Sequence, residues 1–226
     1  MKKAIIAIVA SLFLSSYALA GQMGFGVTGS LAAITGEGKE ADKNGAADDS
    51  GRTGTASNTV GIGSVFAEYT MDNGFTFGLD YIPGSADVSS SAIKRLDVTP
   101  DGSEGTQDDG TRTAQAEVEN HYTYYIEIPV HNGVYAKGGY VEMDVNTLES
   151  SNLSHSATYG NTSVDGYQYG LGYKSEFGTG SGYYKIEGTH TEFDTLAISG
   201  STTDKGNKIT ADLDVTKVTF ALGFGF

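Results

Sequence analysis

The chain has 226 residues, no cysteine, and 28 acidic against 14 basic residues, for a formal net charge of -14. The lack of thiols excludes disulfide scaffolds, thiolate metal sites and cysteine nucleophiles. The acidic balance argues against nucleic acid as a partner, because phosphates bind to basic surfaces.

Residues 1–20 have the composition of a cleaved export signal. Two lysines precede an apolar run that ends at Leu14, and the small residues Ala18 and Ala20 stand where signal peptidase cuts. The run is shorter than the roughly 20 residues that a membrane-spanning helix needs. We therefore expect a signal peptide over 1–20 and a single β-barrel domain over 21–226.

Segments in which apolar and polar residues alternate follow the signal, and a period of two predicts strands with one apolar face. The first two segments run over about 24–35 and 59–71. Asn73-Gly74 comes next, and this dipeptide is a strong hairpin signal. The third segment begins directly after it, so the second and third segments should form a hairpin.

Five further segments continue the pattern, at about 118–128, 134–147, 166–176, 183–193 and 209–226. In the first of these, Tyr122 and Tyr124 alternate with Thr123 and Tyr125. The phase of the next segment is unclear around Val141, where a bulge or the membrane rim could shift the register.

The connections between the eight segments alternate in length. Those at 36–57, 83–116, 148–165 and 194–208 are long and polar, whereas those at 72–74, 129–133 and 177–182 are short. This layout predicts an all-β fold: an eight-stranded antiparallel up-and-down transmembrane β-barrel with four long extracellular loops, short periplasmic turns and both termini in the periplasm.

Charged side chains fall on the strand face opposite the aromatic one. They are Glu68, Asp80, Glu127, Lys137, Lys174, Lys185, Glu187 and Lys217. Four acids and four bases suit the narrow interior of an eight-stranded barrel, where charges are tolerated only if paired. We expect an interior ion network. The alternative is a soluble sheet whose charged face lies in water and need not be balanced.

The closing segment carries alternating large apolar residues, namely Phe220, Leu222, Phe224 and Phe226. With this ending, the export signal and the strand rhythm, the chain resembles small Gram-negative outer-membrane β-barrel proteins, the group of the OmpA transmembrane domain, OmpX and OmpW-like proteins. The resemblance implies location in the cell outer membrane and recognition of this ending by the barrel-assembly machinery. The alternative is a soluble edge strand that ends in Phe.

Candidate chemistry is sparse. Glu119 and Glu192 stand two residues from His121 and His190, which places each pair on one strand face. No recognisable catalytic arrangement accompanies them, so we expect no catalytic residue and no enzymatic activity.

The segment 83–116 contains five carboxylates among glycines: Asp97, Asp101, Glu104, Asp108 and Asp109. Carboxylate oxygens suit Ca²⁺, but the spacing of an EF-hand is absent. We expect a solvated acidic loop and no cofactor. Weak loop-bound Ca²⁺, held directly or through lipopolysaccharide phosphates, is the alternative.

These expectations together describe a monomeric, non-enzymatic integral barrel with a structural and surface-interaction role. It contacts outer-membrane lipids and lipopolysaccharide, and its acidic loops face phages or other cells. Three alternatives stay open: a narrow, porin-like or OmpW-like channel for small solutes, a lipid-modifying outer-membrane enzyme, and a soluble secreted β-protein.

Overall fold

The computed structural model describes residues 21–42, 52–87, 93–100, 107–151, 159–178, 181–200 and 207–226. The expected signal peptide over 1–20 lies outside the described residues. No helix in the described ranges is long and apolar enough to cross a membrane.

The described chain is built from antiparallel strands. They are β1 (Gly21–Asp42), β2 (Arg52–Met71), β3 (Thr76–Asp87), β4 (Ile93–Pro100), β5 (Gln107–His131), β6 (Val134–Ser151), β7 (Thr162–Phe177), β8 (Gly182–Phe193), β9 (Leu196–Ser199) and β10 (Asn207–Gly225). Eight of them pair in the order β1-β2-β3-β5-β6-β7-β8-β10, and β10 returns to β1. The predicted eight-stranded up-and-down barrel is confirmed.

Several strands extend into segments that we expected to be loops. β1 and β10 stay paired out to Asp42 and Asn207, and β5 and β6 out to Arg112 and Ser151. The segments 83–116 and 194–208 also contain β4, which pairs with β5, and β9, which pairs with β10. Alternation of apolar residues reveals only the part of a strand that has an apolar face. Beyond it, paired strands in water still satisfy the hydrogen bonds of their backbone groups, whatever side chains they carry.

The short turns lie together at the opposite end of the barrel, beside Gly21 and Phe226. The β5–β6 turn has positive φ at Asn132 (46°) and Gly133 (83°). Two consecutive left-handed residues are what a tight type I′ hairpin requires, and Asn-Gly adopts them most easily.

The outer wall of the barrel is apolar. Exposed large side chains on this wall include Phe25, Val27, Leu31, Val65, Leu171, Ile186 and Val218. The four closing residues Phe220, Leu222, Phe224 and Phe226 are also exposed, by 42–70%. Acids and lysines of the same strands are buried inside, which reverses the arrangement of a soluble protein and suits a cylinder with hydrocarbon as its solvent.

β3 is the least firmly attached strand of the ring. It pairs with β2 over only six residues, between Val65↔Tyr81 and Thr70↔Thr76, whereas β7 and β8 form twelve pairs. Beyond Tyr81 comes Pro83, which has no N–H to donate, and residues 83–87 are all exposed. We call the break between β2 residues 52–64 and β3 residues 82–87 the seam.

A bulge in β5 resolves the uncertain phase of the segment around Val141. Asn120 has a φ of 52°, and the β5–β6 register shifts between Glu119 and Tyr122. β6 itself runs without a shift, so Val141 faces the interior. Because of the bulge, His121 faces the interior while Glu119 lies opposite the outward-facing Asp144. The expectation that Glu119 and His121 share a face is therefore wrong.

Candidate functional site: the barrel interior

Inward-facing side chains form three layers along the barrel. The ionic layer, nearest the short turns, contains Glu68, Glu127, Lys137, Lys174, Lys185 and Glu187. The polar layer above it contains Thr28, Ser64, Asp80, Thr123, Gln168, Lys217 and Thr219. The apolar layer, nearest the long connections, contains Ala116, Val118, Met143, Val145, Val164, Phe193, Leu196 and Leu213.

Lys185 lies at the centre of the ionic layer with a side chain only 2% exposed. Its Nζ donates hydrogen bonds to Glu68 Oε2 and, at 2.6 Å, to Glu127 Oε1. Lys174 Nζ donates to the other oxygen of Glu68 at 3.0 Å. One cation on β8 therefore holds carboxylates from β2 and β5, which are separate parts of the wall.

A fourth ion pair joins Lys137 to Glu187, with 2.7 Å between Nζ and Oε2. The hydroxyl of Tyr135 donates to the remaining Glu187 oxygen at 2.6 Å, and the hydroxyl of Tyr125 donates to Glu68 at 2.9 Å. Such bonds are needed because a buried charge is tolerated only when its remaining hydrogen-bonding capacity is also satisfied. Six of the eight interior charges expected from the sequence thus meet in ion pairs.

Aromatic rings fill the space around these charges. Lys185 Nζ lies 5.2 Å from the ring centre of Phe66 and 5.5 Å from that of Tyr125. Tyr125 packs over Gly78 so closely that a Cβ at this position would overlap its ring, and Tyr135 covers Gly172 in the same way. Ring-over-glycine packing closes the ionic layer tightly.

Asp80 and Lys217 lie on the interior face but outside these ion pairs. Asp80 Oδ2 accepts a hydrogen bond from Ser64 Oγ at 2.7 Å, and Ser64 in turn contacts Thr28 Oγ1 at 2.5 Å. Within the described ranges no carboxylate oxygen lies within 4.0 Å of Lys217 Nζ. Both side chains line a small cavity in the polar layer together with Thr123.

The apolar layer was not anticipated from the sequence. Met143, Val145 and Val164 are at most 7% exposed and pack against one another inside the barrel. The available signal was the alternation of Val141, Met143 and Val145 with Glu142 and Asp144. This alternation does not reveal the layer, because in the other segments the apolar parity is the one that faces outward.

The expected carboxylate loop is described only in part. The backbone positions of Asp97, Asp108 and Asp109 belong to the β4–β5 hairpin, with Val98 opposite Asp109 and Thr99 opposite Asp108. Asp101 and Glu104 lie outside the described residues. Among the residues that the structure does describe, no group of three or more metal-ligating side chains is present. Loop-bound Ca²⁺ stays a prediction.

His190 lies near the outer end of the wall, and it shares a strand face with Glu192, as the sequence predicts. Its Nδ1 is 2.9 Å from Thr216 Oγ1 and its Nε2 is 3.8 Å from Glu192 Oε1. Glu192 also accepts a hydrogen bond from Tyr169 at 2.8 Å. The contacts with Thr216 and Tyr169 cross between neighbouring strands, whereas His190 and Glu192 lie on the same strand, β8. The absence of a catalytic role stays a prediction.

No protein-family model matches the sequence, and no curated protein matches it. Similar solved structures are outer-membrane proteins. OprG of Pseudomonas aeruginosa is 11% identical, with a TM-score of 0.46 over 92% of this chain and 98% of OprG. The Neisserial surface protein NspA is 10% identical, with a TM-score of 0.36 over 88% of this chain and 97% of NspA. Ail of Yersinia pestis, crystallised with a heparin analogue, is 11% identical, with a TM-score of 0.35 over 92% of this chain and all (100%) of Ail. The chain forms a closed eight-stranded antiparallel β-barrel with an apolar outer wall.

Proposed function

We propose that this barrel is a non-enzymatic, monomeric anchor whose interior is closed to solutes and whose long strands present an acidic rim to the medium. The observation that carries the proposal is the position of Lys185, held between Glu68 and Glu127 with all three side chains at most 3% exposed. A solute on the barrel axis would have to part this cation from both carboxylates.

The energetic argument supports permanent closure. Separating a buried ion pair leaves charges without partners in a medium of low dielectric constant, at a cost of several kcal/mol. The packed apolar layer is a second barrier, since ions lose their hydration there. Two barriers of opposite chemistry in series disfavour both ions and apolar solutes on an axial path.

The rim carries the proposed surface role. Glu192 is 62% exposed on the outer end of β8, and Asp212 and Asp214 are exposed on β10. Such carboxylates favour contact with lipopolysaccharide through divalent cations, and with basic surfaces of phages or other cells. The formal net charge of the chain, -14, favours both kinds of contact.

The purified protein should show no discrete openings in a planar lipid bilayer. A variant that removes both barriers should open reproducibly: Lys185, Glu68 and Glu127 are replaced by Ala, and Met143, Val145 and Val164 of the apolar layer by Ser. This variant also shows that insertion and detection work. Steady unitary conductance of the unmodified protein would contradict the closed-anchor proposal.

A second candidate function is the exchange of small apolar solutes between the outer leaflet and the apolar layer. The seam favours it, because β2 and β3 have no paired residues beyond Val65↔Tyr81. A lateral route of this kind avoids the ionic layer. Solutes would then pass through the side of the barrel and not along its axis.

An apolar fluorescent dye, N-phenyl-1-naphthylamine, tests this second candidate with barrels in lipid vesicles. If the apolar layer binds the dye, Val164→Asn should weaken binding about tenfold, since an amide is buried without partners. Val218→Asn, on the outer wall, is the control and should leave binding unchanged. Equal affinity in all three proteins would reject exchange through the seam.

A further inference from the structure

The polar layer contains buried hydrogen-bonding groups without protein partners. Asp80 is 8% exposed and Thr123 is 1% exposed, yet neither Asp80 Oδ1 nor Thr123 Oγ1 has a hydrogen-bond partner in the protein. The nearby ammonium of Lys217 has no ion pair in the described part of the chain. Buried polar atoms are almost always bonded, so two such atoms beside an ammonium without an ion pair indicate a ligand.

The three groups face one cavity, and its size limits what can bind there. The space open to the centre of a water molecule is about 10 Å³. This is close to the minimum for one water molecule and too small for an organic solute. The site also meets the chemical requirement for buried water, which needs two to four polar partners.

The charge of the surroundings favours a neutral ligand. Asp80 and Glu187 among the cavity walls are matched by Lys137 and Lys217. The fifth charged wall residue, Lys185, is already bonded to two carboxylates. An anion would lie against Asp80, and a cation would lie against Lys217, so either ion would meet a repulsive partner.

We propose that this cavity binds one water molecule that bridges the Asp80 carboxylate, the Thr123 hydroxyl and the Lys217 ammonium. The water accepts a hydrogen bond from Lys217 and donates one to Asp80, while the hydroxyl of Thr123 takes either role. It thereby extends the series Thr28–Ser64–Asp80 to Lys217. This series ties β1, β2, β3 and β10 together at the end of the seam nearest the short turns, where the β2–β3 ladder ends.

Water-to-protein cross-relaxation in NMR spectra of the lipid-embedded barrel tests the site. We expect a long-lived water signal at Thr123 that disappears in Thr123→Val, which keeps the shape and removes the hydroxyl. Thr76→Val is the matched control, because Thr76 is buried at the other end and bonded to Thr70. Absence of the signal from the unmodified protein overturns the proposal.

A double-mutant cycle tests the bridge. Asp80→Asn should raise the unfolding equilibrium constant of the unmodified protein by a certain factor. In the Lys217→Met background the same substitution should raise it by a factor that is smaller by about fivefold or more. Independent effects of the two substitutions overturn the bridge. Exchange of NaCl for KBr at constant ionic strength should leave the constant unchanged, and a clear dependence on ion identity overturns water as the ligand. If Asp80→Asn does not fold, the Thr123→Val spectrum still decides.

Discussion

Lys185→Met is expected to destabilise the barrel by about 3–5 kcal/mol, because it leaves two carboxylates buried without their shared cation. Glu68 and Glu127 have side chains 1% and 3% exposed, so water cannot replace the lost ammonium. Glu68 keeps its bond to Lys174, whereas Glu127 has no other ion pair among the described residues. The unpaired charge at Glu127 should therefore account for most of the loss.

The double variant Lys185→Met with Glu127→Gln separates this cause from simple loss of packing. Removal of the uncompensated carboxylate should recover at least half of the lost free energy of unfolding, measured by urea titration in lipid vesicles. Lys94→Met is the matched control, since Lys94 is exposed on β4, and should stay within about 0.5 kcal/mol of the unmodified protein. A double variant no more stable than Lys185→Met would show that the ion pairs do not hold the ionic layer together.

The ring of strands could be predicted because its signals are local. Asn73-Gly74 and Asn132-Gly133 mark turns by their backbone preference, and both turns are found where the sequence places them. The inward parity of Lys185 and Glu187 follows from alternation with Tyr184 and Ile186. Each of these inferences uses residues close together in the chain.

Which charges meet inside the barrel could not be predicted. Lys185 meets Glu127 and Glu68 across 58 and 117 residues of sequence. Those pairings depend on the stagger between neighbouring strands, which alternation does not specify. The bulge at Asn120 shows the same limit, because one extra residue sends Glu119 and His121 to opposite faces.

The three interior layers share one physical cause. Near the short turns, strands β5 to β10 place Tyr and Thr side chains inside the barrel, next to the lysines and glutamates. Near the long connections, they place Val, Leu, Phe and Met side chains inside. Charges need partners and hydroxyls, so they collect where tyrosines can reach them. Apolar side chains pack together at the opposite end, away from these charges.

Leu171→Arg is expected to cost about 2–4 kcal/mol of unfolding free energy in lipid vesicles. Leu171 is 63% exposed on the outer wall, six residues from the end of β7 at Phe177. At the rise and tilt of barrel strands this places it about 15 Å from the short turns, near the middle of the hydrocarbon. A guanidinium there must distort the bilayer or reach far along the wall to find water.

Leu148→Arg is the matched control, because Leu148 is also an exposed leucine, at 46%, but belongs to the far end of β6. It lies about 35 Å along the barrel from the β5–β6 turn, beyond the hydrocarbon, so the substitution should cost about 0–1 kcal/mol. The difference between the two leucines isolates the effect of depth from that of losing an apolar side chain. Equal costs would mean that Leu171 does not face hydrocarbon, and the assignment of the outer wall to the membrane would fail.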